Sequence, residues 1–459
     1  MPAIGYNRGM IEVTTSVDQY IEENIDRWLD ELARLCAIPS VSARHEGIDE
    51  CAALVAELLG ARGFEAEISP TAGHPVVYGS AAGEDSGHTL LFYNHYDVQP
   101  PEPLELWESP PFELSRRDGA VFARGSKDDK GEFIARLAAV DAVKAVTGSY
   151  PCNLLWLAEG EEESGSINLP AWVAANRERL RCDAAVWEEG GIDADGSPSI
   201  QLGARGLVYV ELRARTINRD AHSGSANLLP NAAWRLLWAI ASLKGPDGRI
   251  LINGFYDAVR PPTANEEALF DRLPDRAQQY RDEYGLEHLL AEPRPVDRAF
   301  FEPTCNLAGF GAGYQGEGSK TVIPAEAMAK LDFRLVPDQD PQDILAKLRR
   351  HLKDHGFEDI QVVELGAEPP GITNPEAPVV KLTAAIAEEV YGKAPIISPL
   401  TGGTTPMFLF TQVGVPVIAP GVGFGGANRA HSPNEFMRIE DFKNAVRHLA
   451  RLVLRFPET

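Results

Sequence analysis

The sequence predicts an α/β protein: an open twisted sheet with helices on both faces, plus an inserted α+β domain. Three observations predict it. Short apolar runs such as TLLFYNHYD (89–97) and LLWLA (154–158) alternate with segments of helical three-and-four spacing. Near residue 203 the texture changes, and LGARGLVYVELRARTI (202–217) alternates apolar with polar residues, as a half-exposed antiparallel strand does. Finally, 459 residues are too many for one compact core.

Taken in order, residues 16–36 read as an amphipathic helix, and ECAALVAELLGARG (50–63) as a second that stops on Gly63. EAEISP (65–70) and 89–97 are strands, the latter with the unbroken apolar character of a sheet covered on both sides. Helices follow at 130–146 and 170–180, with strands at 153–158 and 184–188. The inserted block contains a helix at 228–243, a charged stretch with prolines to about 300, strands at 327–337 and 360–365, and a helix at 341–355. The α/β character returns with helices at 377–391 and 405–413, the strand VPVIAP (415–420) and a helix at 439–455. Residues 1–205 and 372–459 are thus expected to form one domain and 206–371 the insert.

Acidic residues outnumber basic ones, 67 Asp+Glu against 43 Lys+Arg, for a net charge of −24. With no basic stripe to offset it, this balance excludes nucleic acid and anionic membranes as expected partners. The five cysteines (Cys36, Cys51, Cys152, Cys182 and Cys305) show no CxxC and no framework spacing, which suits a reducing compartment. MPAIGYNRGMIEVTTS lacks the basic-then-apolar pattern of a leader, and no apolar run approaches the about 20 residues that cross a bilayer. A cytoplasmic protein is expected.

Two GxGxxG matches, GAGYQG (311–316) and GVGFGG (421–426), lead into EGSKTVIP and ANRAHSPNE, neither of which starts a helix. A dinucleotide site needs that helix, so none is expected. Five other segments carry chemistry. In YNHYDVQP (93–100), His95 and Asp97 share one face of a strand, either as a structural hydrogen bond or as a metal ligand with its orienting partner. ARGSKDDKGEF (123–133) sets Asp128 and Asp129 before a helix, which fits capping or a site equally. EGEEES (159–164) packs four acids where a strand ends, a solvated loop or a cation site. VWEEGG (186–191) ends another strand on Glu188 and Glu189, and ANRAHSPNE (427–435) carries His431. Two histidines with three carboxylates is a ligand set that suits zinc, with manganese or cobalt possible. Two such ions would need a bridging carboxylate and would activate a water between them.

These motifs together resemble the successive metal-site motifs of the co-catalytic zinc peptidase family of carnosinases, cytosolic nonspecific dipeptidase, aminoacylase, acetylornithine deacetylase and succinyl-diaminopimelate desuccinylase. HYDVQP and DDKG are nearest in spelling to the dipeptidase branch. The resemblance implies two divalent ions per subunit: His95 on the first, oriented by Asp97; Asp128 bridging both, its peptide bond to Asp129 cis; and Glu163 and His431 on the second. An acid of VWEEGG completes the first, with Glu188 preferred to Glu189 because it directly follows Trp187. Glu162 is the implied general base. RDAHSGS implies that His222 reaches the neighbouring subunit's site, hence a homodimer through the insert. Arg334 is implied as the anchor of the substrate's C-terminal carboxylate, and Thr321 and Thr404 as further substrate contacts. The implied activity is hydrolysis of an amide bond in dipeptides or similar small substrates. N-acyl-amino-acid deacylation is the alternative on the same scaffold, and a catalytically silent dimeric binding protein a remote one.

Overall fold

The structure, a computed structural model, describes residues 8–193, 195–290, 299–424 and 428–459. Its centre is a mixed sheet of ten strands in which Cys152–Glu159, Asp85–His95, Ala184–Val186 and Val417–Pro420 lie side by side. These four run parallel, so their carboxyl ends share one edge, and His95 pairs in register with Glu159. Successive residues of the strand serve opposite cores. Leu90 and Phe92 pack under the helices Arg8–Cys36, Ile48–Ala61, Lys130–Thr147 and Ile439–Arg455, whereas Leu91 and Tyr93 meet Trp172, Trp187 and Phe410 on the other face. Cover on both sides explains why these strands are apolar almost throughout.

A second sheet of four antiparallel strands has the order Thr304–Ala312, Glu326–Leu335, Gly206–Arg215, Gln361–Glu368. Helices Ala232–Leu243 and Pro341–Asp354 cover one face of it, and burial alternates residue by residue along Glu326–Leu335. Gly203–Ala204 pairs with Gly371–Ile372, bringing together the chain entering and the chain leaving this sheet.

Several elements differ from expectation. The strand Val76–Ala81 lies antiparallel to Cys152–Glu159, where the sequence reading had none. The helix expected from 228 starts at Ala232, because Asn231 caps it with bonds from Ala233 N and Trp234 N. The helix expected over 170–180 is Leu169–Ala175, and that over 405–413 is Phe408–Thr411. Among the described residues, the stretch before 300 includes the helices Ala264–Phe270 and Ala277–Tyr284, the first started by a Thr263–Glu266 capping box. After GAGYQG the next element is the strand Val322–Ile323, not a helix; in GVGFGG, Gly425 and Gly426 lie outside the described residues. Among the described residues no helix is long and apolar enough to cross a membrane.

Candidate metal centre and the residues around it

The parallel strands deliver their last side chains to one place. His95 ends its strand almost fully buried, with ring Nδ1 3.0 Å from the carbonyl oxygen of Asp97 and 3.4 Å from its Oδ1. The nearer partner is thus the main-chain carbonyl. The Asp97 carboxylate chiefly serves the neighbouring strand, accepting bonds from Glu162 N (3.2 Å) and Glu163 N (3.0 Å). One residue therefore orients the histidine and fixes the acid pair.

Asp128 lies at the heart of the cluster. Its Oδ1 is 3.1 Å from His95 Nε2 and its Oδ2 3.0 Å from His431 Nε2, so one carboxylate spans two imidazoles. Its peptide bond to Asp129 is cis, as the motif implied. His431 Nε2 also lies 3.2 Å from Glu163 Oε2, to which Gln99 Nε2 donates at 2.8 Å. Glu188 Oε2 approaches His95 Nε2 to 3.7 Å and has no hydrogen-bond partner, although it is buried. Glu189 takes a positive φ of 74°, and its carboxylate interacts instead with Lys127 and Gln201. The adjacent acids of VWEEGG thus diverge, and Glu188 is the one that faces the histidine.

Asp129 has the capping position of helix Lys130–Thr147 but makes no capping bond. Its Oδ2 accepts from Asn94 Nδ2 (2.7 Å) and His95 N (3.0 Å), while its buried Oδ1 has no partner. Atoms of His95, Asp129 and Glu188 lie within 4.8 Å of one another, and so do atoms of His95, Asp128 and Glu163. Of the remaining acids, Glu159 is buried and accepts from Tyr93 Oη (2.6 Å) and Ser166 Oγ (2.8 Å). Glu161, also buried, accepts from His74 N, Asn168 N and Asn168 Nδ2. Neither faces solvent; both support the loop.

Burial pushes the Glu162 carboxyl well above the usual range, with Glu163, Asp128 and Asp97 adding repulsion that His95 partly offsets. Burial likewise raises Glu188, with Glu162 adding to it. Burial alone would also raise Asp128, but bonds with His431 and His95 hold it well below. The carboxylates of Asp128 and Glu163 raise His431 to about 10. Burial opposes the proton on His95, yet Asp128 and Asp97 hold that ring well above its ordinary value. Around both rings the carboxylates favour positive charge. Crowded acids, orphaned Glu188 and Asp129 oxygens and two imidazoles joined through one carboxylate form a donor set that fits divalent cations.

The substrate residues expected from sequence fall into two other groups. Arg334 Nη1 donates to Thr404 Oγ1 at 2.6 Å, joining the second sheet to the loop after the sheet strand Ile396–Ser398. Buried Arg205 lies beside Arg334: it donates to Thr304 Oγ1 at 3.2 Å, and burial together with Arg334 lowers it to about 10. His222 and Thr321 lie together on an exposed edge, where Val322 pairs with His222 and Ser223 N donates to Thr321 O. The bond to the His222 ring is local, from Gly224 N to Nδ1.

Sequence reasoning missed Gln99 and Arg205, and it gave Asp129 no part of its own beside the metal cluster. It also missed Glu132 and Arg136, a buried pair whose arginine donates to Tyr93 O and Trp187 O behind the cluster. Their signal was an acid and a base four residues apart within the apolar run GEFIARLAAV of that helix.

The chain is 28% identical over 457 residues to the Cys-Gly metallodipeptidase dug1 of Schizosaccharomyces pombe, covering 94% of this chain and 95% of that one. Among solved structures it is similar to the M20 family metallo-carboxypeptidase Sso-CP2 of Sulfolobus solfataricus, with 37% identity and a TM-score of 0.89, covering 94% of this chain and 99% of that chain. It is similar also to the dipeptidase Dug1p of Saccharomyces cerevisiae, with 26% identity and a TM-score of 0.81, covering 97% and 99%. The family model for peptidase family M20/M25/M40 matches residues 91–455, a span that holds every residue of the cluster, and the chain belongs to that family.

Proposed function

We propose that the protein is a metal-dependent dipeptidase that cleaves small peptides with a free C-terminal carboxylate. The observation that carries this is Asp128, whose two oxygens meet His95 Nε2 and His431 Nε2 at 3.1 and 3.0 Å. With an oxygen beside each imidazole, this carboxylate would be shared by two ions if each histidine held one. His95, Asp128 and Glu188 would hold the first ion, and Asp128, Glu163 and His431 the second. Asp129, with one oxygen already engaged by Asn94 and His95 N, supports the first set. When bound, the ions lower the pKa of water toward neutrality and polarise the substrate carbonyl.

The chain's own residues do the rest. Glu162 accepts a proton from the attacking water and hands it to the leaving amine. Its elevated carboxyl suits a base working near neutral pH, and Asp97 fixes its main chain. Arg334, braced by Thr404, takes the substrate carboxylate with its remaining donors. Thr321 lies beside His222 at the edge of the insert as a further contact. His222 of one subunit would steady the oxyanion in the other subunit's site. Support for that dimer comes from the insert, 206–371, where Trp234 and Trp238 stack with more than half their surface exposed, and edge strand Thr304–Ala312 exposes Leu307 and Phe310. Zinc is the proposed metal, from the mixed nitrogen and oxygen donors. A reducing cytoplasm suits five free cysteines, four of them buried.

The test is a substrate panel with the metal-loaded protein: unblocked dipeptides, longer peptides and N-acetyl amino acids. Preferential release of amino acids from dipeptides is expected. Turnover confined to N-acetyl amino acids would replace this reading by the deacylase one.

A further inference from the structure

Asp128 and His431 are 303 positions apart in the chain, yet both must meet the same pair of ions. What holds their two segments in register is visible four residues after His431. The short strand Phe436–Arg438 pairs antiparallel with Ala120–Phe122, which delivers Glu435 to the start of the Asp128 loop. There its main-chain oxygen accepts from Ala123 N, and its side chain, with no solvent exposure, reaches along the loop. Oε2 accepts from Arg124 Nη1 at 2.7 Å and Gly125 N at 3.0 Å; Oε1 accepts from Lys127 N at 2.9 Å and Asp128 N at 3.0 Å.

All four side-chain contacts come from donors, so both oxygens must accept, and only an ionised carboxylate does so throughout. Arg124, which neutralises it, also donates to Pro100 O, three residues beyond Asp97. The carboxylate therefore ties together the segments that carry His95, Asp128 and His431. Two of its four bonds end on the peptide nitrogens of Lys127 and Asp128 themselves. Losing them would leave buried donors that the loop can satisfy only by turning.

We infer that Glu435 is a positioning residue of the metal centre, setting where the Asp128 carboxylate lies between His95 and His431. This rests on the proposed two-ion site. A purely structural Arg124–Glu435 ion pair would affect stability without altering affinity for metal, so metal binding separates the two roles.

The experiment uses Co²⁺ as the probe. The full chain, stripped with chelator, is titrated by calorimetry and by the visible absorption of the bound ion. Glu435→Gln keeps shape but turns one oxygen into an NH₂ that must face two donors. It is expected to bind Co²⁺ about 10–100-fold more weakly, with an altered spectrum, as for other residues that orient metal ligands. Glu435→Asp keeps the charge but is too short to span both pairs of donors, and should fall between. Wild-type affinity and spectrum in Glu435→Gln would overturn the inference alone. If that variant does not fold, the same result in folded Glu435→Asp would overturn it. Failure of the unaltered protein to bind Co²⁺ would instead overturn the two-ion reading and this inference with it.

Discussion

The end of strand Cys152–Glu159 and the loop after it carry two pairs of acids that differ in nothing but their surroundings. Glu159 and Glu161 turn inward to donors: hydroxyls of Tyr93 and Ser166 for one, main-chain and side-chain N–H groups of His74 and Asn168 for the other. Glu162 and Glu163 turn to the histidines, and the Glu162 carboxylate accepts no hydrogen bond among the described residues, although Asp97 holds its main chain. The contrast teaches that a buried acid is read by its donor supply. Glu159 and Glu161 are held by donors that lie outside the cluster and act as braces, whereas Glu163, although Gln99 donates to it, still meets His431, and Glu162 is left to a proton.

The sharpest way to break this division is to remove the proton-carrying group without changing its shape. Glu162→Gln should keep both ions by elemental analysis yet lose about 10²–10⁴-fold in kcat, the range a general base contributes. Near-normal turnover would move the base elsewhere. Glu163→Gln should do the opposite. Because Glu163 meets His431 at 3.2 Å, bound metal should fall by half while Glu162 remains in place. A full metal complement in that variant would remove Glu163 from the ligand set.

How much of this was legible in the sequence follows from the range of the contacts. His95, the pair Asp128–Asp129, the acids 159–163, the pair Glu188–Glu189 and His431 each end or follow a strand, precede a helix or follow a glycine-rich turn, so local pattern marked these segments before any contact was known. Which acid of each segment was expected to do what came from motif resemblance, which carries three-dimensional information that periodicity does not. The Glu435 contacts with residues 124–128 span more than 300 positions, and no local pattern announces them. The strand Val76–Ala81 went unread because VVYGSA has a glycine at its centre and little alternation, although it pairs along five residues of Cys152–Glu159. For Asp129 the local pattern left capping and a site equally open, because an aspartate before a helix is often a cap; here His95 N and Asn94 claim its oxygen instead.

On the bracing side effects should be on stability rather than chemistry. In Glu161→Gln whichever oxygen becomes NH₂ confronts a main-chain donor, His74 N or Asn168 N. One buried N–H is left without an acceptor, a loss of about 1–3 kcal/mol. Thermal unfolding should register it, while kcat of the metal-loaded protein stays within severalfold of wild type. A collapse of kcat at unchanged stability would erase the line between the two pairs.

The last test concerns Glu159, and its sign is opposite. Burial pushes this carboxyl up to about 8, although the Tyr93 and Ser166 hydroxyls favour the ionised form. In the unfolded chain it ionises near its ordinary value of about 4.3. Between those two values the unfolded state releases a proton that the folded state retains, so stability falls as pH rises from about 4.5 to 8 and levels off beyond. Glutamine carries no such cost. Its Oε1 can still accept from Tyr93 and Ser166, and its NH₂ replaces an oxygen that already lacks a partner. Glu159→Gln should therefore raise the melting temperature of the metal-free protein at pH 8 by roughly 1–3 °C, a gain that fades as pH approaches 4.5. A gain independent of pH would mean that Glu159 is already ionised in the fold. The inner acids would then be braced by charge, and the distinction from Glu162 would lie in geometry alone.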